Sequence, residues 1–322
     1  MFFLVLVSLV WAFSFGLIGA YLAGVDPSVA AAARLALASL VFLPFLRLGR
    51  VPVRYAVGFA LLGVVQFGFM YIFYLAAFGP LKPYEVALFT IFTPLYVTLF
   101  DDLLEHRFEF RWLAAAVLAA LGAGILLWRT PSTLSLLLEP SLWGRLRLCL
   151  AETLGGEKWH GFLLMQLSNA CFAAGQIAHK RLRPRIAAAN ESALFAWAIA
   201  GGAVAATAYA VATGADWRTL ENLTPALWLV LAYLGVVASG LCFFLWNRGA
   251  TRVAVGTLAV FNNLKIPLGV VCSLFVFATP APDIWKLLAS FGIMFAAVFM
   301  AEKRSTEKRE KEKSPPREGK HG

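Results

Sequence analysis

Lys265 is the residue whose position most demands a chemical explanation. It lies about 12 residues beyond Val253 in an otherwise apolar stretch, or ~18 Å along a helix that rises 1.5 Å per residue. That depth is near the middle of a bilayer, too far in for the ammonium to reach water easily. Asn262, Lys265, Gly269 and Cys272 follow at steps of three, four and three and so share one helix face. Asn263 adds further donors and acceptors beside them. Charges inside a membrane are rare, face the bundle interior and often mark a substrate path, so this ammonium is placed to hold an anion. The competing role is a tie to backbone carbonyls that Pro267 frees by removing a helical hydrogen bond.

A second polar stripe, Gln166, Asn169, Ala173 and Gln176, runs at helical spacing toward Lys180. It is either a cavity wall or a set of interhelical hydrogen bonds. In the first half, Ser8, Trp11 and Phe15 share one face; Tyr71 and Tyr74 share another; Thr90 and Thr93 a third, just before Pro94. These aromatic and hydroxyl side chains either box a partly apolar solute or pack the core. Arg34 lies about eight residues into its stretch, ~12 Å deep. Its planar guanidinium is suited to a bidentate carboxylate, or to stapling its helix to nearby carbonyls.

Other chemistries lack residues. Asp101, Asp102, Glu105, Glu191 and Asp283 fall at the ends of apolar stretches, and Glu85 lies one turn into one. A proton relay through a central carboxylate therefore has no candidate. There is no phosphate loop, no Ser/His/Asp grouping and no metal-ligand spacing, so neither an enzyme, nor a cofactor, nor a metal is expected. The four cysteines read as small buried hydrophobes.

The elements that must position these groups are apolar stretches of membrane-spanning length. Crossing the ~30 Å hydrocarbon core takes about 20 apolar residues. Ten such stretches occupy roughly 2–23, 27–46, 55–77, 84–103, 112–128, 161–179, 189–213, 224–246, 253–277 and 283–301. The composition agrees: 60% hydrophobic and 14% charged residues, against about 25% charged in soluble domains. Mean hydropathy is +0.75. Met1-Phe2-Phe3-Leu4-Val5 has no basic n-region and no cleavage site follows it, so the first stretch is expected to be a retained span.

Five stretches echo the other five. Gly79 and then Thr93-Pro94-Leu95 in the fourth are matched by Gly249 and then Ile266-Pro267-Leu268 in the ninth. An odd number of spans per half inverts the second half. The expected fold is an all-α integral membrane protein of ten transmembrane helices in two inverted five-helix repeats, 1–128 and 161–301. That is the plan of a secondary transporter with a midplane site between its halves. The connection 129–160 is expected outside, either as a plain loop or with a surface helix built on Leu142, Leu146 and Cys149. Residues 302–322 read as a disordered basic cytoplasmic tail, able to touch anionic membrane lipid.

The net charge of +10 needs no nucleic-acid partner. With the N-terminus inside, 19 of the 28 Lys and Arg residues fall on the inner face, 7 on the outer, and only Arg34 and Lys265 within spans. This follows the positive-inside rule and places both termini in the cytoplasm. In the fifth span, Ala120 and Gly124 offer a small-residue face for close helix packing, within one protomer or in a homodimer.

These residues resemble the EamA-like branch of the drug/metabolite transporter superfamily. Trp11-Ala12-Phe13-Ser14-Phe15, the run to Ala33-Arg34-Leu35 and the Pro94-containing fourth span look like its first repeat. Trp246-Asn247-Arg248-Gly249-Ala250, Asn262-Asn263 and Pro267 are similar to its second. The resemblance implies a multi-pass carrier of the bacterial inner membrane for small metabolites, often amino acids and commonly exported, with a central cavity and homodimers. Glu105 matches the acidic residue usual after the fourth span of a repeat, whereas the second repeat reads Phe277-Ala278-Thr279-Pro280 there. The connection at 129–160 is longer than the family's usual link. Lys265 is not a general family feature, and by itself favours a carboxylate or another anion as cargo. A lipid-linked flippase would call for a lateral opening and a longer groove, and a sensor for an attached signalling domain.

The charge split has a direct check. Reporter fusions after Arg54, Pro140 and Gly322 should read inside, outside and inside; an outside reading at Gly322 would overturn the span count.

Overall fold

The computed structural model describes residues 2–46, 51–106, 110–128, 135, 139, 141–186, 189–250, 255–280 and 283–313. Among them the secondary structure is entirely helical. Five helices precede the long connection: α1 (Phe2–Tyr21), α2 (Pro27–Phe45), α3 (Val53–Ala76), α4 (Pro83–Leu104) and α5 (Phe110–Leu127). The connection holds α6 (Leu142–Leu154), capped by Ser141. After it come α7 (Glu157–Leu182), α8 (Glu191–Ala212), α9 (Pro225–Ala250), α10 (Val255–Val271) and α11 (Ile284–Lys313).

Helix starts follow local chemistry. Proline, whose missing N–H is harmless in a first turn, opens α2, α4 and α9. Asp26 caps α2 by accepting from the Ser28 and Val29 amides, and Glu85 accepts from the Lys82 amide at 2.8 Å to close the start of α4. Asp26 also accepts from the Asp216 amide, which ties the α1–α2 turn to the segment between α8 and α9.

Among the described residues six helices, α1, α2, α3, α4, α8 and α9, are long and apolar enough to cross a membrane by length and composition. Shorter apolar segments occur at Val117–Leu127, Phe261–Val276 and Ile284–Ala297. The 26-residue α7 has the length, but its Gln and Asn stripe lowers its hydropathy. Ten equally clear spans are therefore not shown among the described residues, and in α7 it is the polar stripe that lowers the hydrocarbon character.

The chief packing partners are α1 with α9 and α10, α2 with α8 and α9, α3 with α7 and α8, α4 with α7 and α10, and α5 with α11. Small residues set these distances. A Cβ on Gly63 of α3 would overlap the Ala198 carbonyl of α8, and one on Gly201 would overlap the Ala60 carbonyl. In α5, Ala119, Gly122 and Ala123 are buried, and Gly122 accepts a hydrogen bond from Ser290 of α11 at 2.6 Å. Ala120 is exposed and nothing lies within 4 Å of a Cβ on Gly124, so this pair faces away from the chain's own packing.

Several helices depart from α geometry: α2 ends in a 3-10 turn, Leu43–Phe45, and Cys272–Val276, which continues α10, is π-helical. In α3, Val64–Phe69 is π-helical; in α9, Tyr233–Leu241 is; in α4, Thr90–Phe92 is a 3-10 turn. The last helix also runs on to Lys313, where the sequence led us to expect a disordered tail from residue 302. Glu, Lys and Arg are strong helix formers and nothing breaks the run before Pro315. Residues 314–322 lie outside the described residues, as do Arg47, Arg50, Arg107, Arg129 and Arg252 of the charge split.

The α3–α8 contact is the most sensitive to added volume. Gly63→Val should reduce folded yield and thermal stability, since overpacking of this kind costs typically 1–3 kcal/mol. Detergent melting curves would show it, and Gly58→Val, beside open space, should melt like the parent.

Candidate functional site

A cavity opens between α1, α2, α3, α4, α7, α9 and α10. Nine residues singled out in the sequence line it: Trp11, Phe15, Arg34, Tyr71, Tyr74, Thr90, Thr93, Asn169 and Lys265. They come from six different helices, so only the packing brings them together. Among the described residues no Asp or Glu lines this space, while two cations do.

Lys265 is only 6% exposed. Its Nζ donates to the Asn262 Oδ1 at 3.0 Å, one turn back on the same face. It stands 5.1 Å from the centre of the Trp11 ring and 5.8 Å from that of Phe172, within range of cation–π attraction. The expected tie to the carbonyls near Pro267 is replaced by this side-chain partner and the two ring faces. Asn262 is buried and does not line the cavity; it holds the ammonium from behind.

Arg34 is 2% exposed. Its Nη2 donates to the Tyr71 Oη at 3.1 Å and to the Ser239 Oγ at 3.3 Å, and the guanidinium lies over the Tyr71 ring at 4.5 Å. Ser239 in turn donates to the Leu234 carbonyl at 2.7 Å, so the 2.8 Å contact between Tyr71 and Ser239 carries the tyrosine's proton. Every acceptor near Nη2 is thus engaged, and Arg34 Nε and Nη1 are buried without a partner among the described residues. Both edges on which a guanidinium binds a carboxylate in bidentate fashion include Nη2, so the bidentate role expected for Arg34 is blocked. Hydroxyls, rather than the expected carbonyls, receive its bonds.

Trp11 links the two cations. Its Nε1 donates to the Ala238 carbonyl at 2.9 Å, next to Ser239 on the π-helical part of α9, while its ring faces Lys265. Phe243 and Trp246 pack on it at 4.9 and 5.0 Å between ring centres. On the α4 side, Asn169 donates to the Phe89 carbonyl at 2.8 Å and accepts from Thr93 at 3.0 Å. The 3-10 turn that follows Phe89 is where such a side-chain donor is needed.

Besides Asn262, three expected residues do not reach the cavity. Gln166 accepts from Tyr96 at 3.4 Å, and neither Gln176 nor Asn263 lines the space; one polar atom of each of the three is buried and unpartnered among the described residues. They lie on the same helices as Asn169 and Lys265 but outside the cavity lining. The sequence also gave no notice of Ser168, Phe172, Ser239 and Phe243. Phe172 is detectable three residues beyond Asn169; Ser239 is not, because the π-helical turn shifts its register. Gln66 was missed as well: wholly buried, it donates to Asn247 at 3.3 Å.

Residues 1–128 match the model of the EamA-like transporter family. The chain is 39% identical over 300 residues to a probable biotin transporter of Pseudomonas aeruginosa, covering 92% of this chain and 96% of that one. It is 38% identical over 279 residues to the biotin transporters of Salmonella typhimurium and Escherichia coli, covering 84% of this chain and 83% of theirs. The chain belongs to the EamA-like transporter family. As a member it is a multi-pass inner-membrane transporter of the drug/metabolite superfamily, acts on a small-molecule substrate, and is not an enzyme. A solved crystal structure shares the fold, with a TM-score of 0.56 at 18% identity over 92% of this chain and 96% of that one.

Asn169 should prove structural as well as cavity-lining. Asn169→Leu leaves the Phe89 carbonyl and the Thr93 hydroxyl without partners, and an unsatisfied buried group costs about 1–3 kcal/mol. Its melting temperature should drop; an unchanged one would show that water replaces the amide.

Proposed function

We propose that this transporter carries biotin, or a carboxylate closely similar to it, by alternating access between two inverted five-helix repeats. The observation that carries the proposal is a cavity with two cations, no acidic residue among its described lining residues, and aromatic walls, in a chain whose relatives are named biotin transporters. Biotin joins a carboxylate to an aliphatic chain and a fused ring bearing a urea and a thioether. Lys265, fixed by Asn262, receives the carboxylate. Trp11, Phe172 and Phe243 cover the chain and ring.

A free amino acid, the cargo class common in the family, fits less well. Its ammonium would meet Lys265 or Arg34 and find no carboxylate among the described lining residues.

The inverted repeat is supported by the packing pattern. Exchanging α1 to α5 with α7 to α11, in order, turns the set of chief helix contacts into itself. Of the three described π-helical segments, two fall in α3 and α9, which occupy the same place in the two halves, and the third, Cys272–Val276, continues α10. On this reading ten helices cross, α6 lies on the outer surface, and the termini are cytoplasmic. The cavity then takes its walls from the outer halves of α1, α2, α3 and α7. The Gln66–Asn247 bond and Trp246 lie inward of it and must part for inward release.

Tritiated biotin offered to intact cells and to everted vesicles tests the cargo and gives the direction of flux. A charge-assisted hydrogen bond contributes roughly 1.5–3 kcal/mol, and 1.4 kcal/mol is about tenfold in affinity. Lys265→Met should therefore weaken apparent affinity by roughly 10–100-fold at normal membrane yield. Lys265→Arg should rescue only in part, because the guanidinium is larger and planar. Unchanged affinity in Lys265→Met would make Lys265 a packing element only.

A further inference from the structure

We infer that Arg34 is the specificity-determining residue for the far end of the cargo, receiving the urea carbonyl of the ring while the carboxylate rests on Lys265. The inference depends on the biotin reading above and adds to it a second recognition point. Three observations lead to it. First, Arg34 is buried and lines the cavity, yet its Nε and Nη1 have no partner among the described residues. A buried charge with unused donors is unfavourable unless a ligand completes it.

Second, the geometry selects the kind of acceptor. Nη2 is engaged by Tyr71 and Ser239, and both bidentate edges of the guanidinium need that nitrogen. What remains is a set of single, separated N–H donors, which suit one neutral carbonyl oxygen better than a two-oxygen carboxylate. A urea carbonyl is such an acceptor, and a strong one, because both ring nitrogens push electron density onto its oxygen. Lys265 is the reverse case. It is a compact ammonium with one of its three donors engaged by Asn262, suited to a full negative charge.

Third, Trp11 spans the two sites. Its ring faces Lys265 and its Nε1 reaches the Ala238 carbonyl, beside Ser239. A cargo lying along this indole presents one polar end to each cation. The site therefore selects compounds with a carboxylate at one end and a neutral hydrogen-bond acceptor at the other.

Competition against tritiated biotin flux in membrane vesicles tests this without any variant. Desthiobiotin, which keeps the urea and the carboxylate, should compete within a few-fold of unlabelled biotin. 2-Iminobiotin replaces the urea with a group that is cationic at neutral pH and repelled by Arg34. It should compete at least about tenfold more weakly, as expected for loss of one charge-assisted hydrogen bond. In Arg34→Gln the gap between biotin and 2-iminobiotin should close to within about threefold, with biotin itself roughly tenfold weaker. Equal competition by desthiobiotin and 2-iminobiotin in the unmodified protein overturns the role of Arg34 and leaves biotin transport standing. So does an Arg34→Gln protein that weakens every ligand alike and keeps the gap. Absence of any biotin flux in the unmodified protein overturns the underlying reading instead.

Discussion

Two buried cations without an acidic partner in their cavity are the constraint around which the interior is arranged. In a membrane every polar group must find its partners inside the protein, and a lone charge is far more demanding than a hydroxyl. The chain meets this demand with neutral groups. Arg34 has Tyr71 and Ser239, with the tyrosine ring beneath it. Lys265 has Asn262 and the faces of Trp11 and Phe172. Cation–π contacts and hydroxyl bonds soften the burial without cancelling the charge, so the cavity stays attractive to an anion. A carboxylate in the same place would have given a more stable bundle and a worse binding site.

The irregular helical segments are what make those partners available. Regular α-helices satisfy their own backbone and leave little for side chains to bind. The π-helical turn in α9 brings Ser239 to Arg34 and the Ala238 carbonyl to Trp11. The 3-10 turn in α4 leaves the Phe89 carbonyl to Asn169. Such irregular turns are frequent at functional sites. Here they also sit where helices of the two halves meet, which is where a rocking motion has to be absorbed.

Close helix approach and loose polar contacts are segregated. The α3–α8 seam is built on glycines whose backbones touch carbonyls, a contact that does not slide. The layer that lies inward of the cavity on the proposed topology relies instead on a long Gln66–Asn247 bond, with buried polar atoms of Gln66, Asn247 and Trp246 left without partners among the described residues. An opening there replaces weak or missing bonds with water. In the proposed cycle this makes the inner layer the easier one to part.

Much of the class was legible in the sequence, because hydropathy over a span is a local property. The helical class, the absence of catalytic groupings and the relation to EamA-like carriers were readable from apolar runs, from Lys265 and from Trp11-Ala12-Phe13-Ser14-Phe15. The face of a single helix was readable too, which is why Asn169, Tyr71 and Lys265 could be named. Whether a face looks into a cavity or onto a neighbour is not local. Gln166 and Gln176 share a stripe with Asn169 and yet miss the cavity, since the crossing helices at each level decide what a side chain meets. Ser239 and Gln66 were hidden for a related reason: a π-helical turn breaks the 3.6-residue period on which such reading depends. The sequence alone thus determined that charge is buried in lipid; only the tertiary structure decided which neutral groups surround it, and so what remains free to bind.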